Sequence, residues 1–277
     1  MTNAETESVV KNGTEMIETL IETTLKTLRK KVLPDIYKTE TNSETDYEGS
    51  GYYKSCRLKN EDSAIVFPVY RDGKLRISEQ ETRFAFITEV IKGNRGETNN
   101  KFLYSVETPT KRKYRFSPGK ANASGTPKID EDTGQSAMVD VCLYSKAGEK
   151  YYVEFKAKNV GGSAIEKDFL KLLCDDENAA NYFVHTIYEM DDNILSSIAN
   201  NYTKALESIR KKHKNEKGIK LIVFLYYLDS CKEPPVKMKM IMEKNFKNKP
   251  TEFNLEPTIK GIDDAWGVKI TFPAFPV

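Results

Sequence analysis

Asp140, Glu154 and Lys156 are the residues whose types and spacing best suit joint chemistry. They lie in two segments, 138–144 and 151–157, in which apolar and polar residues alternate at period two. Such alternation is typical of strands with one buried face, and the short glycine-containing segment between them predicts a hairpin. Two acids and a lysine would then lie close together.

The turn of this hairpin decides which side chains meet. With residues 146–148 as the loop, Gly148 takes the left-handed conformation that a type I turn with a bulge requires. Asp140 then lies opposite Glu154, and Lys156 shares their face because side chains alternate along a strand. A two-residue loop would shift the pairing and separate the carboxylates, so the glycine favours the first register. The other face would be apolar, formed by Val139, Val141, Leu143, Val153 and Phe155.

Two facing carboxylates repel each other unless a positive charge lies between them. Mg²⁺ fits, since it prefers oxygen ligands and retains water, and Mn²⁺ is expected to substitute. The backbone carbonyl of Phe155, or that of Val141 or Val153, could complete the ligand set. Such a cation would polarise a phosphoryl oxygen and lower the pKa of a bound water. Lys156 would hold that water or help to deprotonate it, and would offset developing negative charge.

A third carboxylate is expected from the helix that begins after Ser78. Glu79 and Glu81 are two positions apart, so they point about 200° away from each other. Glu81 lies on the side of Phe84, which the apolar pattern marks as inward, whereas Glu79 lies on the side of Arg83, taken as outward. We therefore expect Glu81 to approach the cluster and Glu79 to be solvated. The alternative is that Glu81 only closes a capping box with Ser78.

The elements that position these residues follow from apolar periodicity. Helices are predicted over residues 14–32, 79–93, 165–173 and 194–213. Strands are predicted over residues 64–69, 103–107, 114–116, 221–228 and 268–272, besides the hairpin. A turn at 71–74 and loops at 37–52 and 117–136 complete the pattern. Because the segment 221–228 is apolar on both faces, it suits the central strand of a covered sheet. The length of the chain suits one large α/β domain.

At these residues the chain resembles the PD-(D/E)XK nuclease superfamily, which has the restriction-endonuclease-like fold. The matching stretches, in the family's order of helix, strand, hairpin strand and helix, are 78–84, 138–140, 154–156 and 166–172. Val139 stands where the motif's proline would be. The resemblance covers residues 75–230. It implies a mixed sheet flanked by helices, and Mg²⁺-dependent cleavage of phosphodiester bonds, most often in DNA.

The resemblance also assigns roles and organisation. Asp140 and Glu154 would bind metal, Lys156 would assist the nucleophile, and Glu81 or Glu79 would support the site. The chain is expected to be one domain, with an N-terminal helix and loop (1–60), a nuclease-like core (61–230) and a lysine-rich C-terminal extension (231–277). A DNA endonuclease of restriction or phage defence is the expectation by analogy. The alternatives are a nuclease acting on RNA, a non-catalytic nucleic-acid-binding or assembly module, and a plain solvated strand face.

Contacts with nucleic acid would come from local clusters of positive charge, since the formal net charge is only +2. One cluster surrounds Tyr114, where cations could contact phosphates or could guard a solvated edge strand. Its members are Lys111, Arg112, Lys113 and Arg115. Lys171, on the helix after the hairpin, could touch the substrate backbone or lie on an exposed face. His185 is expected to be a hydrogen-bonded structural histidine.

The composition limits the class of protein. At 39% hydrophobic and 30% charged residues, the chain has the material for a packed globular core. Four separated cysteines and two histidines make a zinc site improbable, and Cys142 and Cys174 are expected to be reduced core residues. The polar N-terminus and the lack of a long apolar run predict a cytoplasmic location. A homodimer or a partner protein is an open expectation.

Overall fold

The computed structural model describes residues 3–32, 65, 76–95, 101–116, 127–174, 178–187, 192–213, 221–227 and 237–242. The helices in these ranges are α1 (Asn3–Val32), α2 (Glu79–Arg95), α3 (Gly162–Cys174) and α4 (Asp192–Lys212). The strands are β1 (Leu103–Arg115), β2 (Lys128–Ile129), β3 (Gln135–Tyr144), β4 (Lys150–Ala157), β5 (Asn178–Ile187), β6 (Leu221–Tyr227) and β7 (Lys237–Met242). No helix in the described ranges is both long and apolar enough to span a membrane.

Within the described ranges, the strands form one mixed sheet in the order β2-β1-β3-β4-β5-β6-β7. β3 is antiparallel to both of its neighbours, β1 and β4, whereas β4, β5 and β6 run parallel. Parallel neighbours need a crossover, and α3 and α4 supply the two crossovers. The predicted mixed α/β sheet flanked by helices is therefore confirmed.

Both faces of the sheet are covered by helices. On one face, α1 and α2 pack their apolar sides against inward residues of β3 to β6. The rings of Phe86 on α2 and Phe155 on β4 lie 5.6 Å apart there. On the other face, α3 and α4 enclose a second cluster that includes Phe169, Phe183 and Tyr202. A sheet covered on both faces explains why its central strands are apolar on both sides.

The hairpin of β3 and β4 has the register that the turn glycine predicted. Val141 pairs with Val153, and the Ser145 amide donates to the Glu149 carbonyl. Gly148 has a φ of 84° and donates its amide to the Ser145 carbonyl, so it occupies the left-handed position of the three-residue loop. The five residues predicted to form the dry face are all buried. Four lie on the α1–α2 side, whereas Val139 packs into the α3–α4 cluster.

Several predicted elements differ in extent. The predicted segment 103–107 and residues 114–115 of the segment 114–116 belong to one strand, β1, and the predicted loop 117–136 contains β2 and the start of β3. β5 and β7 were not predicted as strands; β5 lies between β4 and β6 and has a wholly buried run. The expected strands 64–69 (apart from residue 65) and 268–272, the turn 71–74, and the loops 37–52 and 117–126 lie outside the described residues.

Candidate active site

The structure brings Asp140, Glu154 and Lys156 together where β3 and β4 separate. Beyond the Val141–Val153 pair, each carboxylate accepts a hydrogen bond from the backbone of the opposite strand. Asp140 Oδ2 accepts the Phe155 amide at 2.8 Å, and Glu154 Oε2 accepts the Asp140 amide at 3.3 Å. Each of the two acids is therefore oriented by a backbone amide of the opposite strand.

Lys156 lies at the centre of the cluster. Its ammonium nitrogen is 3.1 Å from the Phe155 carbonyl oxygen and 3.2 Å from Asp168 Oδ2. It is also 3.4 Å from Glu79 Oε1 and 3.7 Å from Glu154 Oε1. Four oxygens, two from strand β4 and one from each of the helices α2 and α3, therefore surround one positive charge.

Helix α3 contributes two charged residues to the cluster. The Lys171 ammonium contacts Glu154 Oε1 at 2.6 Å, Asp168 Oδ1 at 3.0 Å and the Met138 carbonyl at 2.8 Å. The Lys171 side chain is only 2% exposed, so the hypothesis that it contacts nucleic acid is wrong. It faces the sheet because α3 buries nearly every residue of its last two turns. Asp168 was missed, although it lies one turn from apolar Ile165 and Leu172 on the same side of the helix.

Glu79, rather than Glu81, is the α2 carboxylate beside the cluster. Glu81 bonds to the Ser78 hydroxyl and lies 3.5 Å from Arg76, so its predicted approach to Asp140 and Glu154 is wrong. The error lies in the inward face assigned to α2, because Phe84 is 56% exposed. The residues that are buried are Thr82, Ala85, Phe86, Glu89 and Val90. Glu79 precedes Thr82 by three positions and therefore shares this side of the helix.

Arg83, expected to point outward, also faces the cluster. Its guanidinium Nη1 lies 3.5 Å from Asp140 Oδ1 and forms an ion pair with Glu107 on β1. The arginine side chain is 13% exposed, and it follows Glu79 by one helical turn. The acidic cluster thus has a cation on the α2 side in addition to the two lysines.

Burial disfavours ionisation of three acids in the site. It raises the pKa of Glu154 to about 8, and the neighbouring Asp168 carboxylate contributes to that rise. Burial also raises the pKa of Asp140 and of Glu79. These shifts mean that additional positive charge would be accommodated favourably beside the three carboxyl groups.

The lysines and Asp168 stay ionised. Burial opposes the ionisation of Asp168, but Lys171 and Lys156 outweigh it, so the pKa of Asp168 is lowered. Burial likewise opposes the charged form of Lys156, yet Asp168 and Glu154 outweigh it and raise its pKa. Lys156 is therefore an ammonium that donates hydrogen bonds, and it is poorly suited to accepting a proton.

The donor set suits a hard divalent cation. Asp140 and Glu154 offer carboxylate oxygens, Phe155 offers a carbonyl, and Glu79 is adjacent. No three His, Cys, Asp or Glu side chains in the described part of the chain form a ready-made metal cage. Mg²⁺ commonly takes only one or two protein carboxylates and keeps water or phosphate as its other ligands. The oxygen donors present and the raised carboxyl pKa values fit that mode of binding.

The basic cluster on β1 lies beside the loop that follows β2. Arg112 pairs with Glu131 at 2.8 Å, and Arg115 pairs with Asp130 at 3.1 Å. Lys111 and Lys113 are exposed. Arg112 is half-buried in its ion pair, whereas Arg115 is as exposed as the two lysines, so three of the four cations are accessible to phosphate.

His185 is a structural residue, as predicted. It is fully buried, and its Nδ1 lies 2.7 Å from the Tyr202 hydroxyl. Its Nε2 donates to the Lys158 carbonyl, since a carbonyl can only accept. Cys142 and Cys174 are buried in the core as thiols, also as predicted.

Comparison of the chain with models of known protein families, with curated proteins and with solved structures gave no match.

Proposed function

We propose that the chain is a divalent-metal-dependent nuclease that hydrolyses phosphodiester bonds, with DNA as the preferred substrate. The single observation that carries the proposal is the convergence of Asp140, Glu154 and Lys156 at the point where β3 and β4 separate. The elements α2, β3, β4 and α3 follow one another along the chain in the order helix, strand, hairpin strand and helix of the PD-(D/E)XK superfamily. A restriction-endonuclease-like fold and a role in restriction or phage defence are parts of this proposal.

The position and charge of each residue suggest a separate role in the reaction. Asp140, Glu154 and the Phe155 carbonyl would hold Mg²⁺. When bound, the cation supplies charge neutralisation at the phosphate and acidifies water. Lys156, which stays charged, would donate hydrogen bonds to the attacking water and to a non-bridging phosphate oxygen. Glu79, 40% exposed and beside Lys156, would accept the proton that the water loses.

Every bond and proton in this hydrolysis can be accounted for. The water oxygen forms a bond to phosphorus, and the bond from phosphorus to one ester oxygen breaks. The water proton passes to the Glu79 carboxylate, and the departing oxygen takes a proton from solvent. The products are a phosphomonoester and a free hydroxyl, with no oxidant or reductant required.

One observation favours a second candidate, a non-catalytic module with the same architecture. Lys156 and Lys171 already pair with Glu154 and Asp168, as they would in a purely structural network of buried charges. A structural network and a catalytic one differ in their response to metal. The deciding experiment must therefore measure metal dependence together with cleavage.

The test is cleavage of supercoiled plasmid DNA and of structured RNA with Mg²⁺, with Mn²⁺ and with EDTA. We expect Asp140→Asn and Glu154→Gln to abolish metal-dependent cleavage. Glutamine is preferred to alanine at 154, because a cavity beside two buried ammonium groups would threaten folding. Glu166→Gln is the control, since Glu166 lies on α3 outside the cluster and contacts Ser208 and Lys212. Full activity of Glu154→Gln, or cleavage unaffected by EDTA, would contradict the proposal.

A further inference from the structure

Arg83 stands between two carboxylates of different kinds. On one side is Asp140, a half-buried acid of the candidate metal site, 3.5 Å from the guanidinium. On the other is Glu107, whose side chain is 57% exposed. Gln80, one turn earlier on α2, also accepts a hydrogen bond from Arg83. The guanidinium is thus fixed at the edge of the acidic cluster, between the cluster and solvent.

Glu107 has an unusual backbone conformation at this place. Its φ is 48°, in the left-handed region that non-glycine residues seldom adopt. The β1–β3 ladder pairs Val106 with Val141 and Thr108 with Val139, and omits the pair between them, Glu107 and Asp140. Strained backbone of this kind concentrates at functional sites. The distortion lies directly opposite Asp140 and presents the Glu107 carboxylate to Arg83.

We infer that Arg83 binds the phosphate of the substrate next to Asp140, and that Glu107 occupies Arg83 until the phosphate replaces it. The inference rests on the proposed nuclease function and adds the residue that holds the reacting phosphate. A guanidinium binds phosphate and carboxylate oxygens with the same planar geometry, so the Glu107 carboxylate stands in for a phosphate. Because Glu107 is largely exposed, water can solvate it when it is displaced.

The alternative is that Arg83 and Glu107 only tie α2 to β1. In that case removing either partner has the same effect, a loss of stability. In our inference the two substitutions have opposite effects on binding, because one removes the phosphate ligand and the other removes its competitor. The opposite signs distinguish a binding site from a structural tie.

The experiment compares Arg83→Gln, Glu107→Gln and the double variant. Binding of a fluorescent DNA oligonucleotide is measured by anisotropy in EDTA and in Ca²⁺, and cleavage is measured in Mg²⁺. We expect Arg83→Gln to reduce kcat/KM by about 100-fold. Glu107→Gln should bind the oligonucleotide several-fold more tightly than wild type, and the double variant should lose that gain. Glu207→Gln on α4, which removes another exposed negative charge, should leave binding unchanged.

The outcomes separate this inference from the proposed function. If the wild-type chain cleaves DNA and Arg83→Gln binds and cleaves it equally well, the inference about Arg83 is wrong and the proposed nuclease function stands. A gain from Glu107→Gln that persists in the double variant also overturns the inference, since the gain would not pass through Arg83. If Glu107→Gln binds the oligonucleotide more tightly but the wild-type chain does not cleave it, the nuclease proposal is wrong and Arg83 is still a phosphate-binding residue. A wild type that neither binds nor cleaves would overturn both.

Discussion

The ammonium of Lys156 lies among oxygen atoms that a divalent cation would also use. The Phe155 carbonyl and Glu154 Oε1 are 3.1 Å and 3.7 Å from its nitrogen. A cation binding to these atoms must displace the ammonium or share the space with it. Like charges about 4 Å apart repel appreciably even with partial screening. Lys156 would therefore weaken metal binding while it supports the chemistry.

We predict that Lys156→Met binds Mn²⁺ about tenfold more tightly than wild type while losing cleavage. Calorimetric titration with Mn²⁺ measures the affinity, and circular dichroism checks that the variant is folded. Lys167→Met is the matched control, because Lys167 is exposed and lies over the Phe116 ring. Equal or weaker Mn²⁺ affinity in Lys156→Met would show that the ammonium and the metal do not compete.

A second prediction at the residue level distinguishes the two acids of α2. Glu79→Gln should reduce the cleavage rate by about 100-fold, because its carboxylate touches Lys156 and would accept the proton of water. Glu81→Gln should retain full activity, since Gln can still bond to the Ser78 hydroxyl. Single-turnover rates at saturating Mg²⁺ measure both. An inactive Glu81→Gln beside an active Glu79→Gln would reverse the assignment.

At the level of elements, the hairpin shows what local sequence can specify. Gly148 fixes the turn, the turn fixes the register, and the register brings Asp140 and Glu154 together. Each of these steps involves residues close in sequence, so they could be predicted. The face of α2 could not, since Phe84 is apolar yet exposed, and only packing against α1 and β4 determines which side of the helix is buried.

The turn itself can be tested with two glycines. A Cβ added at Gly148 or at Gly161 would meet no atom within 4 Å, but only Gly148 has a positive φ. Gly148→Ala should therefore lower the free energy of unfolding by about 1–2 kcal/mol through backbone strain alone. Gly161→Ala should be neutral or slightly stabilising. Urea denaturation of both variants provides the measurement, and equal stability losses would contradict the left-handed turn.

Helix α3 gives a further prediction about Lys171. Lys171→Met should reduce the free energy of unfolding by about 3–5 kcal/mol, because it leaves Glu154 and Asp168 buried with one ammonium fewer. A lysine that contacts nucleic acid at the surface would instead lose binding without losing stability. Lys167→Met, on the exposed side of the same helix, should change stability by less than about 1 kcal/mol. A stable Lys171→Met with weakened DNA binding would contradict the buried network.

On the scale of the whole molecule, the candidate site joins the two layers of helices. Glu79 and Arg83 come from α2 on one face of the sheet, whereas Asp168 and Lys171 come from α3 on the other. They meet because β3 and β4 separate beyond Val141 and Val153, which opens the sheet between its faces. The residues that come together here lie far apart in the sequence. The hairpin pattern could therefore predict the acids and Lys156, and could not predict their partners from the helices.

His185 on β5 is buried between α4 and the segment that follows β4. Because it is buried, it makes the stability of the whole chain depend on pH. Burial lowers its pKa to about 4, from an ordinary value of 6.5. The neutral ring satisfies Tyr202 on α4 and the Lys158 carbonyl after β4, whereas a protonated ring would be charged inside the core. Since the folded chain binds this proton less readily than the unfolded chain, His185 contributes stability above pH 6.5. That contribution is lost as the pH falls towards 4.

The expected loss between pH 7 and pH 4 is about 3 kcal/mol, because the pKa of His185 is about 4 in the folded chain and 6.5 in the unfolded chain. His185→Gln cannot titrate, although glutamine can still donate and accept a hydrogen bond. The variant should be less stable than wild type at pH 7, and the difference should shrink as the pH falls. Urea denaturation of both proteins at a series of pH values gives the two curves. Contributions from the carboxyl groups are common to both and cancel in the difference, so parallel curves would show that His185 does not produce this pH dependence.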